Sequence, residues 1–131
     1  MSNAVERTYA GSCHCGQIRF SVELPDEIEV EDCNCSVCSK AGFLHIIVPK
    51  GKFALLQGST ELTEYTFNTG VAKHYFCRTC GVKPFYIPRS NPDGIDVNLR
   101  CLDERPKKVN IVSFDGVNWE QNAHTLAHKS Q

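Results

Sequence analysis

Along most of this chain apolar and polar residues alternate with a period of two, the signature of strands with one face buried. Residues 17–24 put Ile18, Phe20, Val22 and Leu24 on one side and polar groups on the other, until Pro25 ends the run. Residues 28–30 read as a short strand that delivers Cys33. Residues 43–48 are apolar nearly throughout and rich in β-branched side chains, which predicts a central strand closed by Pro49. Residues 53–57 give another short strand after a turn at Lys50-Gly51. Residues 62–67 and 71–76 flank Asn68-Thr69-Gly70 and predict a hairpin. Residues 85–87 lie between Pro84 and Pro88, whose missing N–H groups predict an edge position. Residues 95–99 and 109–114 complete the strands, with a charged loop at 104–108. Residues 8–11 lead into the first cysteines, and 39–42 predict a turn or a single helical turn. One helix is predicted over 116–127, starting near Asn118 with Trp119 facing inward, and 128–131 are expected to fray. The pattern specifies a mainly β fold, a sandwich with a short C-terminal helix.

A chain of 131 residues has enough surface to bury for one domain, here 1–131 with its core over about 9–127. The formal net charge of −1 gives no basic field to hold nucleic acid, so that partner is not expected. No apolar run approaches the ~20 residues of a membrane span. The start, residues 1–7, is polar and lacks a signal-like apolar region; its Ser2-Asn3-Ala4 is compatible with a cloning remnant. The expected location is the cytoplasm, or also the nucleus in a eukaryote. Oligomeric state leaves no mark on the sequence.

Eight cysteines change the picture. Seven of them fall in three tight groups: Cys13/Cys15, Cys33/Cys35/Cys38 and Cys77/Cys80. An even count permits disulfides, but one-residue separations suit local bridges poorly, and metal binding explains the clustering directly. Thiolates are soft ligands that suit zinc, and a structural zinc takes four. Cys13, Cys15, Cys77 and Cys80, each pair followed by a glycine, make one closed site that ties an early strand to a late hairpin. Gly16 lets the chain turn so that amides approach sulfur. Such a zinc is worth ~10–16 kcal/mol, as much as a small domain's whole stability of ~5–15 kcal/mol. Cys33, Cys35 and Cys38 offer only three ligands. Either a position stays open for a guest, or Cys101, His45, His14 or His74 closes it; His45, within an apolar strand, reads as a core or supporting histidine. An open thiolate-rich zinc favours a soft ligand such as a small cellular thiol, of which glutathione is the obvious one, over activated water.

Three stretches carry a family resemblance: residues 11–20 around Cys13-His14-Cys15-Gly16, residues 33–38 (Cys-Asn-Cys-Ser-Val-Cys), and residues 76–82 around Cys77-Arg78-Thr79-Cys80-Gly81. They resemble the glutathione-dependent formaldehyde-activating enzyme family, and residues 85–94 with Cys101-Leu102-Asp103 look closest to its centromere protein V branch. The resemblance runs from about Tyr9 to Trp119. It implies a zinc-binding β-tent fold, a structural zinc on Cys13, Cys15, Cys77 and Cys80, and a second, catalytic-type zinc on Cys33, Cys35 and Cys38. It also implies carbon–sulfur lyase chemistry on S-hydroxymethylglutathione. The long basic N-terminal region of centromere protein V has no counterpart here. Arg89, Asn91 and His45 are candidates to line the pocket and meet glutathione's carboxylates, with Arg89 and Asn91 equally readable as part of a solvated turn over residues 89–94. The alternative is a non-catalytic zinc module for a protein or chromatin partner, with Lys107-Lys108, Phe85 and Tyr86 as its surface.

Overall fold

The computed structural model describes residues 5–131; the reading of Ser2-Asn3-Ala4 lies outside the described residues. Ten strands form two sheets. The smaller has the order β1-β2-β5, from β1 (Glu6–Ser12), β2 (Arg19–Pro25) and β5 (Phe53–Gln57). The larger has seven strands in the order β10-β3-β4-β9-β8-β7-β6. These are β3 (Glu27–Cys33), β4 (Leu44–Pro49), β6 (Leu62–Tyr65), β7 (Lys73–Cys77), β8 (Phe85–Ile87), β9 (Gly94–Asn98) and β10 (Lys108–Phe114). Only β10 runs parallel to its neighbour, β3, with Phe114 opposite Cys33. The expected mainly β sandwich with a short C-terminal helix is what the chain adopts.

The core lies between the sheets. Phe20, Val22 and Leu24 of β2 meet Leu44, Ile46 and Val48 of β4, Phe85 of β8 and Ile95 and Val97 of β9. Rings set the spacing: Phe53 stands 4.8 Å from Phe85 and Phe20 6.2 Å from it, edge to face, contacts worth about 0.5–1.5 kcal/mol each beyond their buried area. Because side chains alternate across a strand, the residues between these point the other way. His45, Asp96, Tyr86 and His74 therefore share the outer face of the large sheet, and they too are buried. That second buried face is the feature that positions the site.

What covers it is the C-terminal segment, and here three expectations change. The helix is a single turn, α2 (Trp119–Asn122), continued as a 3-10 helix over Ala123–Ser130. The Asn122 side chain donates to the Asp115 and Asn118 carbonyls, and Thr125 Oγ1 donates to the Asn122 carbonyl, side-chain bonds that compete with regular helix. The tail does not fray: Ser130 is buried, its hydroxyl donates to Asp93 at 2.6 Å, and Lys129 Nζ reaches Glu29 at 2.9 Å and Glu31 at 2.6 Å. Asn91, expected in the pocket, is instead the clamp for this segment. It is buried, and its amide donates to the Leu126 carbonyl at 2.8 Å and to Ser130 Oγ at 2.9 Å.

Two smaller differences have local causes. β8 is interior, not an edge, because Pro84 and Pro88 lie just outside its three paired residues and take no ladder bond from it. Its Phe85 and Tyr86 are buried and so offer no partner surface. Residues 8–11 are part of β1, a strand whose polar half masked its period. The hairpin of β6 and β7 forms as expected, with Leu62 opposite Cys77, though β6 stops at Tyr65.

Replacing Asn91 by Ala leaves two tail carbonyls and the Ser130 hydroxyl without their donor. The expected cost is about 1–3 kcal/mol in urea unfolding, with faster amide exchange concentrated in residues 119–131; uniform exchange across the chain would contradict the clamp.

Candidate metal centres

The chain brings its seven clustered thiols into two groups. In the first, the Sγ atoms of Cys13, Cys15, Cys77 and Cys80 lie within 4.8 Å of one another. Two similar turns build it. Gly16, at φ 81°, and Gly81, at φ 78°, occupy the left-handed region that glycine tolerates. In one turn Cys13 N–H donates to the Ile18 carbonyl at 3.1 Å, while Ile18 N–H donates back to Cys13 Sγ at 3.4 Å. In the other, Cys77 N–H donates to the Val82 carbonyl at 3.0 Å, and the Thr79 and Cys80 amides both donate to Cys77 Sγ at 3.4 Å. Amides aimed at sulfur favour the thiolate. The Thr79 hydroxyl, donating to Gln17 Oε1 at 3.0 Å, ties the turns together. The first turn belongs to the small sheet and the second to the large one, so this group bridges them.

The sulfur spacings test whether a metal fits. Cys15 Sγ is 3.6 Å from both Cys13 Sγ and Cys77 Sγ. Four sulfurs around a tetrahedral zinc at 2.3 Å stand about 3.8 Å apart, whereas a disulfide would need about 2.05 Å. All eight cysteines are free. The donor set fits a metal ion and not a disulfide framework.

The second group is Cys33, Cys35 and Cys38, again with sulfurs within 4.8 Å. Cys33 ends β3. Cys35 caps α1 (Ser36–Ala41), its sulfur accepting from Cys38 N–H at 3.4 Å, and Cys38 lies inside that helix. The helix is longer than the predicted turn and starts before Cys38, because a cysteine serves as its cap. Hydrogen bonds from the Cys33 and Cys38 thiols, with the Cys38 and Val37 amides, hold Cys35 down to about 2. The shared hydrogen bonds with Cys35 push Cys33 up to about 11, and Cys38 is raised further by both neighbours and by burial. One thiolate, at Cys35, is favoured and its two neighbours are held protonated, so three thiolates together need a divalent cation to offset their charge. This donor set also fits a metal ion.

No fourth cysteine, histidine or carboxylate joins this group among the described residues. Cys101 is buried elsewhere, its thiol 3.8 Å from the Lys83 carbonyl and pushed up to about 12 by burial and by Cys13 and Cys80. His14 is exposed in the turn between Cys13 and Cys15. His45 and His74 face the same cavity as the three cysteines without closing the group. That cavity holds about 630 Å³, within the ~300–1,000 Å³ of small-molecule sites. Arg89 lines it as expected, its guanidinium stacked 3.8 Å over the Trp119 ring.

Several residues of the site escape sequence reasoning. Asn34 fastens the cysteine loop: its carbonyl accepts from Val117 N–H at 3.0 Å and its amide donates to Asp115 at 3.2 Å. Gly116 packs so closely that a Cβ there would overlap Cys33 Sγ. Asp96 accepts from His45 Nδ1 at 2.7 Å, and the Tyr86 hydroxyl lies 3.3 Å from the same nitrogen. Lys83 Nζ sits 4.0 Å over the Tyr86 ring and 2.7 Å from His74 Nδ1. The available signal was the alternation itself, which puts His45, Tyr86, Asp96 and His74 on faces opposite to the apolar residues.

Gly116→Ala is expected to displace Cys33 and spare the other group. Titration with cobalt(II), followed by its thiolate absorption, then fills one site instead of two; two intact sites would show that Gly116 has slack.

Comparison with known proteins agrees with this geometry. The family model for the glutathione-dependent formaldehyde-activating enzyme matches residues 8–114. A Halomonas elongata protein bearing that family's name is 22% identical over 121 residues, covering 83% of this chain and 77% of its own. The crystal structure of a Rhodobacter sphaeroides protein is similar with a TM-score of 0.69 at 34% identity, over 79% of this chain and 99% of that one. These matches stand at the level of the family and do not resolve its centromere protein V branch. Two gathered cysteine groups on a mainly β frame, matched along residues 8–114, make this chain a member of the glutathione-dependent formaldehyde-activating enzyme family.

Proposed function

We propose that the protein is a zinc-dependent carbon–sulfur lyase acting on a glutathione adduct such as S-hydroxymethylglutathione. In this reading residues 1–131 work as one domain that carries two zinc ions. Cys13, Cys15, Cys77 and Cys80 hold the structural one; Cys33, Cys35 and Cys38 hold the other and act as the catalytic group. The observation that carries the reading is the three-sulfur group set against a cavity of about 630 Å³, in a chain of this family. Bound there, zinc supplies a Lewis acid that stabilises a substrate sulfur as thiolate at neutral pH.

The chain's own residues supply the rest. Glutathione carries carboxylates, and the Arg89 guanidinium at the cavity wall is a fitting partner, held flat by Trp119 and offset by Glu120 at 3.4 Å. Glu31, whose burial raises its carboxyl, faces the cavity beneath Lys129, which limits its repulsion of an anionic substrate. The Cys33, Cys35 and Cys38 loop is local in sequence, so its loss need not undo the sheets. A cytoplasmic setting suits this chemistry, because it keeps both the cysteines and the substrate reduced. No helix among the described residues is long and apolar enough to cross a membrane.

Metal analysis separates the two centres. Wild type is expected to hold about two zincs per chain and Cys35→Ser about one with the fold retained, while Cys13→Ser fails to fold, since a structural zinc contributes ~10–16 kcal/mol. Exchange NMR with formaldehyde and glutathione reads the activity: zinc-loaded protein accelerates exchange between free glutathione and its adduct. An unchanged exchange rate at saturating protein overturns the lyase reading for this substrate.

A further inference from the structure

Two buried imidazoles face the cavity beside Cys33, Cys35 and Cys38, and each has one nitrogen engaged and one without a partner. His45 sits on β4 and His74 on β7, on either side of Tyr86 of β8. Their ring centroids lie 5.8 Å and 4.8 Å from that of Tyr86. Nε2 of His45 and Nε2 of His74 are both buried and unbonded. Asp96 Oδ1 and Glu31 Oε2 at the same cavity are unpartnered too, and a buried polar atom without a partner costs about 1–3 kcal/mol, so this polar group needs a reason.

The engaged nitrogens set what the free ones can do. Asp96 lies 2.7 Å from His45 Nδ1 and is itself buried. A carboxylate only accepts, so Nδ1 carries a hydrogen toward Asp96, and in the neutral ring Nε2 is left as the acceptor nitrogen. His74 is arranged the opposite way. Lys83 Nζ lies 2.7 Å from His74 Nδ1; burial lowers Lys83, but Cys38, Asp96 and Cys35 pull the other way, and its place over the faces of Tyr86 and Phe43 at 4.0 Å and 4.8 Å favours the ammonium. An ammonium only donates, so His74 Nδ1 accepts and its Nε2 carries the hydrogen. Burial and Lys83 hold His74 down to about 4, which keeps it neutral. One cavity thus presents one imidazole as proton acceptor and one as fixed donor.

We propose that His45 takes and returns the proton of the hydroxyl on the adduct carbon next to sulfur, and that His74 donates a hydrogen bond toward that same end of the adduct. The proposal rests on the lyase reading and adds catalytic residues to it. In cleavage the hydroxyl proton passes to His45 Nε2, the C–O bond becomes C=O, and the C–S bond breaks with its electron pair left on sulfur. In the reverse direction thiolate sulfur adds to the carbonyl carbon and the imidazolium returns its proton to oxygen. No oxidant or reductant enters. Asp96 is a positioning residue: it fixes the tautomer and steadies the imidazolium. The other titratable or charged groups around His45 are Tyr86 of β8, Glu31 directly opposite on β3 with Lys129 upon it, His74, Lys83 and the three thiols. A thioether adduct has no proton for His45 to take, so the proposal excludes it.

The test uses zinc-loaded protein with formaldehyde and glutathione, and compares wild type with His45→Gln, Asp96→Asn and His74→Gln. Nitrogen-15 NMR of wild type is expected to show His45 protonated on Nδ1 and His74 on Nε2; like tautomers, or an imidazolium at His45 at neutral pH, overturn the assignment. Zinc content stays at about two in every variant, and loss of one zinc in His45→Gln overturns the proposal by making His45 a ligand. Adduct exchange falls at least about 100-fold in His45→Gln, the lower range for general acid–base catalysis. Asp96→Asn inverts the His45 tautomer and loses rate with it. Exchange at the wild-type rate in His45→Gln sinks this inference alone. Wild type that accelerates nothing sinks the lyase reading, and the proton role falls with it.

Discussion

The central strands of the large sheet, β4, β9 and β8, are buried on both faces, and strand alternation gives the faces opposite chemistry. Leu44, Ile46 and Val48 of β4, Ile95 and Val97 of β9 and Phe85 of β8 turn toward the small sheet and make the core. Their neighbours His45, Asp96 and Tyr86 turn away and are buried too. Register therefore carries more weight here than in a sheet with one wet face. A slip by one residue would put an imidazole and a carboxylate into the aromatic core and leave leucine and isoleucine at the cavity. Burying the polar set costs stability that an apolar face would not, since some of its atoms lack partners.

The two thiol groups sit differently in the fold. Cys13/Cys15 and Cys77/Cys80 are far apart in the chain and join the sheets, so a metal held there would bind to the folded state and not to the unfolded one, with the stabilisation that linkage gives. Cys33, Cys35 and Cys38 occupy six residues between a strand end and a helix start. A metal there closes only a short loop and contributes little to chain order. The fold supports that loop from outside, through Asn34, the close approach at Gly116 and the parallel pairing that places Phe114 beside Cys33.

Much of this was legible in the residues. The period-two runs located the strands from 17–24 to 109–114, the cysteine spacing separated the two groups, and the motif stretches pointed to the family. The misses share a cause: each depended on what lay across the fold. Pro84 and Pro88 signal an edge until their positions just outside β8 are seen. Asn91 reads as a turn residue, yet its partners lie 35–39 residues away. The tail looked free because nothing local holds Lys129 and Ser130; their anchors are Glu29, Glu31 and Asp93. His45 reads as a core or supporting histidine, but its carboxylate partner Asp96 and its counterpart His74 belong to strands far along the chain.

With zinc held on both thiol groups as proposed, one of four sulfurs and one of three, the two centres differ in saturation, and zinc-edge X-ray absorption of the zinc-loaded protein measures that difference directly. With one centre of four sulfurs and one of three, the average is about 3.5 sulfurs per zinc near 2.3 Å, completed by one light atom on the second centre. Added glutathione should raise the average toward about four. An average already at four without added thiol, or a second centre completed by an imidazole and indifferent to glutathione, would contradict it.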